Sequence, residues 1–223
     1  MPERSSIATA SYGGCYAKKE DMEKLLSKLG SDFDEAEGYI RIVDADWFAD
    51  DLRLSLSISM SDEAERELWE VSCQDVVEES ISSVNEESLV VLSDSPLLIP
   101  YSEMEVDVYF SDNSCEPAFL LGCIFNSCVE VFGKGEYLHR FINLNPTVSG
   151  IVSSKHGKLG RYPKSVAERI LDTLKSHPIQ IKMLNENLPK QWAGSEFIVY
   201  PPLKVLVSGA SYVIGEKFSA IRA

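Results

Sequence analysis

The chain has 223 residues, of which 44% are hydrophobic and 25% charged, enough to build one sizeable core. It contains no apolar run of about 18 residues, and its first residues lack the basic start and apolar core of a signal peptide. These features predict a globular cytoplasmic protein. The formal net charge of −14 argues against nucleic acid or an anionic membrane as a partner, because both are polyanions.

The charge is unevenly distributed along the sequence. Residues 1–115 hold 8 Lys and Arg against 27 Asp and Glu, whereas residues 116–223 hold 13 against 8. Acidic surfaces commonly serve solubility alone. A concentrated acidic surface also attracts a basic protein and speeds its association. Composition leaves both interpretations open.

The N-terminal half predicts one helix followed by antiparallel strands. Residues 18–30 carry apolar side chains at helical spacing, and Gly30 is typical of a helix end. A strand is expected at residues 39–43, then an acidic turn, then a half-buried strand at residues 52–60 with strict alternation. Residues 68–82 predict a second strand or a bent strand pair, and residues 88–93 a short strand, with residues 95–100 as a connector.

Residues 103–112 predict another strand with two different faces. Its expected inward side chains are Met104, Val106, Val108 and Phe110. Glu103, Glu105 and Asp107 would then share the outer face with Tyr109. This strand is therefore expected to expose three carboxylates.

The C-terminal half predicts two helices and further strands. Pro117 begins an apolar helix that Gly133 and Gly135 end, with Cys123 and Cys128 as small core residues. Ser165 and Glu168 fit a capping box, and the helix after it ends at His177. The Gly- and Ser-rich stretch 147–165 is interpreted as a hairpin or a long loop.

The fold class that these elements favour is α+β, a mostly antiparallel sheet with a few packed helices. We expect one domain over residues 1–223, with a possible seam at 145–162. Predicted strands in the last third are the stretches IQIKML, EFIVY, LKVLVSG and SYVIGEKFSAI.

The sequence contains no convincing catalytic or metal-binding motif. GKLGRYPKS lacks the spacing of a phosphate loop, and GASYV lacks the second glycine of a nucleophile elbow. DADWFADD lacks the glycine and spacing of a calcium loop. The five cysteines include no CxxC pair, and the histidines at 139, 156 and 177 have no metal-ligand spacing. We therefore predict reduced thiols, no metal, no cofactor and no enzymatic activity.

Four stretches of the chain resemble immunity proteins that bacteria carry beside polymorphic toxins, including effectors of type VI secretion and Rhs-type systems. They are LWEVSCQDVVEESIS, VVLSDSPLLIPYSEMEVDVYFSD, LGRYPKSVAERILDTLKSH and VSGASYVIGEKFSAI. The resembling positions are Trp69, Val71, Cys73, Asp94, Pro96, Leu97, Leu98, Val108, Tyr109 and Phe110. Ser95 stands where the pattern usually has histidine. The resemblance implies a cytoplasmic protein that binds and neutralises one cognate toxin.

The stretch VDADWFADD, residues 43–51, is the strongest candidate for the contact with such a toxin. Toxins that act on nucleic acids usually have basic clefts, so carboxylates beside an aromatic anchor would suit an inhibitor. Alternatively, one or both rings pack into the core, because adjacent residues of a strand face opposite ways. The predicted partner-binding residues are Asp44, Asp46, Trp47, Phe48, Asp50, Asp51, Glu103, Glu105 and Asp107.

Two other functions fit the same sequence. An enzyme that reverses the product of a toxin would protect at far less than one molecule per toxin. A small-ligand binding protein would respond to a metabolite and have no protein partner.

Overall fold

The computed structural model describes residues 22–34, 36–61, 65–133 and 154–223, without the side chain of Pro117. These residues form a sheet-dominated α+β fold with antiparallel strands, which confirms the predicted fold class. The elements up to residue 111 are α1 (Met22–Asp32), β1 (Tyr39–Phe48), β2 (Asp51–Ser59), β3 (Glu67–Gln74), β4 (Glu78–Ser80), β5 (Asn85–Glu86), β6 (Val90–Leu92), a 3₁₀ turn (Pro96–Leu98), α2 (Ile99–Ser102) and β7 (Glu105–Ser111). The later elements are α3 (Pro117–Phe132), β8 (Gly157–Pro163), α4 (Lys164–Leu174), β9 (Gln180–Asn187), β10 (Lys190–Trp192), β11 (Phe197–Val199), β12 (Lys204–Ser208), β13 (Ser211–Gly215) and β14 (Lys217–Arg222).

A five-stranded sheet, in the order β14-β3-β2-β1-β5, carries the acidic segment. The apolar side chains of β2 point to its inner face and are buried, as their alternation predicts: Leu52, Leu54, Leu56 and Ile58. Helix α1 contributes Met22 and Leu25 to the same core. Burial of one face leaves the other face of the sheet to solvent.

A four-stranded sheet, in the order β4-β13-β12-β6, packs on that inner face. Leu206 and Val213 join the core of the five-stranded sheet. On its other side, Val205 and Ile214 pack with Leu97 of the 3₁₀ turn. The two sheets therefore form a sandwich that the helical segment 96–102 covers from one side.

Two strand pairs bend from one sheet of the sandwich into the other. β3 continues into β4, as the predicted bent pair implies, and β13 continues into β14 where one strand was expected. At the bend, the backbone N–H of Glu216 donates to the carbonyl of Gln74 at 2.9 Å. Asp75 adopts a positive φ of 50° at this point. The two sheets are thus continuous at one corner.

A three-stranded sheet, in the order β8-β7-β9, forms a separate layer with α3 and α4. Val106, Val108 and Phe110 are buried against these helices, as predicted, and so are Cys123 and Cys128. β7 comes from the acidic half of the sequence, whereas both neighbouring strands come from the slightly basic half. Residues from both halves therefore share this sheet.

Several local predictions differ from the structure, among them three at the helices and connectors. Helix α1 continues through Gly30 to Asp32. The connector at 95–100 is largely helical, and Ser95 Oγ accepts a hydrogen bond from the N–H of Leu97. The capping box is wrong, because α4 begins at Lys164 with no side-chain cap from its own segment.

Some predicted features lie outside the described residues or are only partly covered by them. Cys15, Gly135 and His139 fall outside. The segment 145–162 is described from residue 154, and strand β8 occupies its end. Among the described residues, the four cysteines are unpaired.

Gly215 leaves no room for a side chain at the corner, because a Cβ there would lie 2.8 Å from the carbonyl oxygen of Gln74. We expect Gly215→Ala to lower the free energy of unfolding by about 1–3 kcal/mol, since a backbone atom must shift. Urea unfolding measures the change. Gly30→Ala is the matched control: no atom lies within 4 Å of its Cβ, and it should be neutral or stabilising. Equal effects of the two substitutions would contradict this account.

Candidate partner-binding surface

A β-bulge at Val43 decides which side of the five-stranded sheet the acidic side chains face. Ile42 lies opposite Leu56 and Asp44 lies opposite Ser55, so Val43 has no partner on β2. Side chains alternate across a strand, and without the extra residue Asp44 would point to the core side together with Ile42. The bulge turns Asp44 to the outer side instead.

Beyond the bulge, the two aromatic rings lie on opposite sides of the sheet. Phe48 follows Asp44 and Asp46 on the outer side, whereas Trp47 lies opposite the buried Leu52. Trp47 is nevertheless 49% exposed and Phe48 54% exposed, on the last two rungs before the turn. Neither ring belongs to the buried core.

The predicted acidic turn at 43–51 is mostly strand. β1 extends to Phe48, and only Ala49 and Asp50 form the turn to β2. Ala49 has a positive φ of 57°, a conformation that a two-residue hairpin turn commonly requires. We call residues 44–53, with both strand ends and the turn, the acidic hairpin.

The four aspartates of the acidic hairpin are exposed: Asp44, Asp46, Asp50 and Asp51. No salt bridge in the described part of the chain involves any of them. Arg53 lies opposite Asp46 but pairs with Glu70 at 3.1 Å, and its guanidinium lies 4.7 Å from the ring centre of Phe48. The hairpin tip therefore keeps its negative charge.

Asp51 has a long-range hydrogen bond, whereas Asp44 accepts one only from the adjacent N–H of Ala45. The Oδ1 of Asp51 accepts a hydrogen bond from the N–H of Asp75 at 3.0 Å, which ties the turn to the corner of the sandwich. The carbonyl of Asp50 accepts a second one from the N–H of Val76 at 2.8 Å. These bonds fix the position of the hairpin relative to the corner.

The three carboxylates predicted for the outer face of β7 do not form an exposed surface. Asp107 is only 4% exposed, and its carboxylate lies 2.6 Å from Lys158 Nζ and 2.9 Å from Arg161 Nε. Glu103 accepts hydrogen bonds from the N–H and Oγ of Ser165 at the start of α4. The expected exposure of Asp107 is therefore wrong, because neighbouring strands supply its counter-charges.

Glu105, the third of these carboxylates, is half-buried, opposite Pro163 and Asn187 on the neighbouring strands. Its charge contributes to the raised pKa of the Tyr200 hydroxyl, for which burial is the larger cause. The predicted acidic surface is thus limited to the acidic hairpin.

The hairpin turn also borders a groove that the sequence did not reveal. This acidic groove has a volume of about 360 Å³, and the acidic residues Asp50, Asp75 and Glu216 are among those that line it. The full lining is Asp50, Asp75, Val76, Val77, Gln191, Trp192, Ala193, Tyr200, Pro201, Leu203 and Glu216. No Lys or Arg appears among the described residues that line it. Negative charge from three separate parts of the sequence therefore meets at one opening.

The residues that sequence reasoning missed come from the corner and from the segment 190–199. The positions of Asp75 and Glu216 depend on the bends that follow β3 and β13. Trp192 and Phe197 flank the turn AGSE, and aromatic residues on both sides of a glycine-containing turn are the sequence signal for this hairpin.

Two classes of feature are missing from the described part of the chain. No three His, Cys, Asp or Glu side chains are grouped in a way that suits a metal ion. None of the helices in the described ranges combines the length and the hydropathy needed to cross a membrane.

Comparison of the chain with models of protein families, with curated protein sequences and with solved structures finds no match in any of the three. The resemblance to immunity proteins therefore stays a prediction.

Asp107 gives a test of the charge pairing inside the three-stranded sheet. Hydrogen bonds from Arg161, and further ones from Lys158 and Asn185, hold its pKa well below the usual carboxyl range although burial opposes this. A lowered pKa in the folded state means that the stabilisation is complete above about pH 4 and is lost as the pH falls further. Asp107→Asn should cost about 2–3 kcal/mol at neutral pH.

Urea unfolding of the wild type and Asp107→Asn between neutral pH and the acid limit measures this difference. The difference between the two stabilities should begin to shrink below about pH 4 and close only at the acid limit, where folded Asp107 also takes up a proton. A constant gap across the whole range would mean that the substitution acts through packing and not through charge.

Proposed function

We propose that the protein is an immunity-type inhibitor that binds a basic bacterial toxin in the cytoplasm and neutralises it without catalysis. The observation that carries the proposal is the acidic hairpin, where exposed Trp47 and Phe48 stand among four aspartates with no ion pair in the described residues. Two adjacent exposed rings beside unpaired carboxylates suit a partner that is both apolar and basic.

The two kinds of side chain in the hairpin have separate roles in binding. Aromatic residues dominate the energy of many interfaces because they bury a large area with few rotatable bonds. Carboxylates that surround them attract a basic partner from a distance and orient it before contact. A basic active-site cleft that binds phosphate groups would accommodate both the aromatic rings and the carboxylates of the hairpin.

Only some of the acidic residues in the N-terminal half of the sequence support the proposal. Asp107 and Glu103 are occupied by internal partners, so the docking role is confined to the hairpin and the groove beside it. The net charge of −14 still favours long-range attraction to a cationic protein.

Reversal of charge at the hairpin tip should weaken toxin binding. We expect Asp44→Lys combined with Asp50→Lys to raise Kd about 10- to 100-fold at low salt, mainly through slower association. The hydrogen bonds to the corner use the Asp51 side chain and the backbone carbonyl of Asp50, so the fold should persist. Surface plasmon resonance against the inactivated toxin encoded in the neighbouring reading frame gives both rate constants. The difference should shrink at about 1 M salt, where screening is nearly complete.

Glu168→Lys combined with Asp172→Lys is the matched control for this experiment. Both residues are exposed on α4, and the pair changes the net charge by the same amount. An equal loss of affinity in the control would assign the effect to total charge and remove the hairpin from the interface.

Stoichiometry separates an inhibitor from an enzyme that reverses toxin damage. Toxin activity, titrated with increasing amounts of this protein, should fall linearly and end near one molecule per toxin. Protection at a small fraction of that ratio would contradict the non-catalytic proposal. A purified catalytically inert protein of equal charge serves as the baseline.

A further inference from the structure

Residues 190–199 form a second hairpin, which we call the apolar hairpin. β10 and β11 pair with each other across the turn 193–196, and Trp192 lies opposite Phe197. The two rings meet edge to face, with centres 5.1 Å apart. Trp192 is 59% exposed and Phe197 64% exposed, more than any other large hydrophobic side chain in the described residues.

The apolar hairpin has no neighbouring strand in the described structure. Its two strands make a sheet of their own, whereas the other strands belong to sheets of three to five. An isolated two-stranded hairpin is marginally stable in water. The hairpin and the segment before it also carry several exposed hydrophobic residues: Leu184, Leu188, Trp192, Phe197, Ile198 and Val199.

The hairpin is attached to the body of the protein at its base. Tyr200, directly after β11, packs edge to face on Tyr101 with ring centres 5.1 Å apart. Val199 and Leu188 border a cleft of about 350 Å³ on the helical segment 96–102. The hairpin is therefore held in place while its outer residues stay uncovered.

The acidic groove joins the apolar hairpin to the acidic hairpin. Trp192 and Gln191 form one wall, and Asp50 of the acidic turn belongs to the same lining. Asp75 and Glu216 add negative charge between them. The two hairpins thus border one groove, whose lining also includes the acidic residues Asp75 and Glu216.

We infer that the apolar hairpin is the second half of the toxin-docking surface, and that its occupant is a protein with an apolar patch bordered by Lys or Arg. This inference rests on the proposed function and adds a surface to it. Trp192 and Phe197 supply the apolar contact, and the acidic groove receives a cationic side chain between the two hairpins. Contacts of this kind place aromatic anchors near the centre of an interface and charges beside them.

A second copy of the chain is a poorer occupant of this surface. Symmetric pairing brings the same patch of two molecules together. The carboxylates of Asp50, Asp75 and Glu216 would then face identical carboxylates, and like charges in an interface are repulsive. A basic partner removes this repulsion.

The experiment compares substitutions in the apolar hairpin with matched substitutions elsewhere. Trp192→Ala combined with Phe197→Ala should raise Kd for the inactivated toxin of the neighbouring reading frame by about 100-fold or more. Leu121→Ala combined with Phe125→Ala, also exposed hydrophobic residues, should change it less than about 3-fold. Circular dichroism and thermal unfolding check that each variant folds.

Hydrogen exchange on the wild type gives a result that needs no substitution. Amides of residues 190–199 should exchange more slowly in the toxin complex than in the free protein, together with those of the acidic hairpin. Protection of the acidic hairpin without protection of residues 190–199 would overturn the inference, whatever the variants do.

The possible outcomes separate this inference from the proposed function. Loss of binding on charge reversal at Asp44 and Asp50, with unchanged binding of the Trp192 and Phe197 variant, overturns the inference and leaves the proposed function intact. Absence of any binding by the wild type overturns both. Dimers of the wild type that dissociate when Trp192 and Phe197 are replaced would identify a second copy as the occupant and overturn the inference.

Discussion

The corner at which β3 and β13 bend from one sheet into the other is the constraint on which the rest of the structure depends. Glu216 bonds to Gln74 there, and Val76 and Asp75 bond to the turn of the acidic hairpin. Gly215 makes the close approach possible because it has no side chain. The same few bonds close the sandwich and place the acidic hairpin beside the corner carboxylates.

The order of strands in each sheet, and not the sequence alone, decides which carboxylates are neutralised and which stay exposed. β7 carries its acids between two strands with basic side chains, and Asp107 is neutralised by Lys158 and Arg161. Asp44 and Asp46 lie on the open side of a different sheet, where Arg53 is already paired with Glu70. Asp107 is therefore neutralised, whereas Asp44 and Asp46 have no ion pair among the described residues.

The acidic hairpin and the apolar hairpin border one surface that is both charged and apolar. Each has aromatic rings in solvent, and the acidic groove between them collects carboxylates from the turn, the corner and the end of β13. Neither hairpin would mark a binding region as clearly by itself, because single exposed hydrophobic residues are common on proteins. Their proximity supports a partner that is both apolar and basic.

The sequence by itself determined the α+β class, the alternation of β2, the inward face of β7 and the core cysteines of α3, because these follow from local periodicity. It also marked Trp47 and Phe48. Only the tertiary structure decided that a bulge at Val43 turns Asp44 outward, that Asp107 is buried, and that Trp192 lies near Asp50. Periodicity reports which face of a strand is apolar, but strand order, bulges and counter-charges arise from residues far apart in the chain.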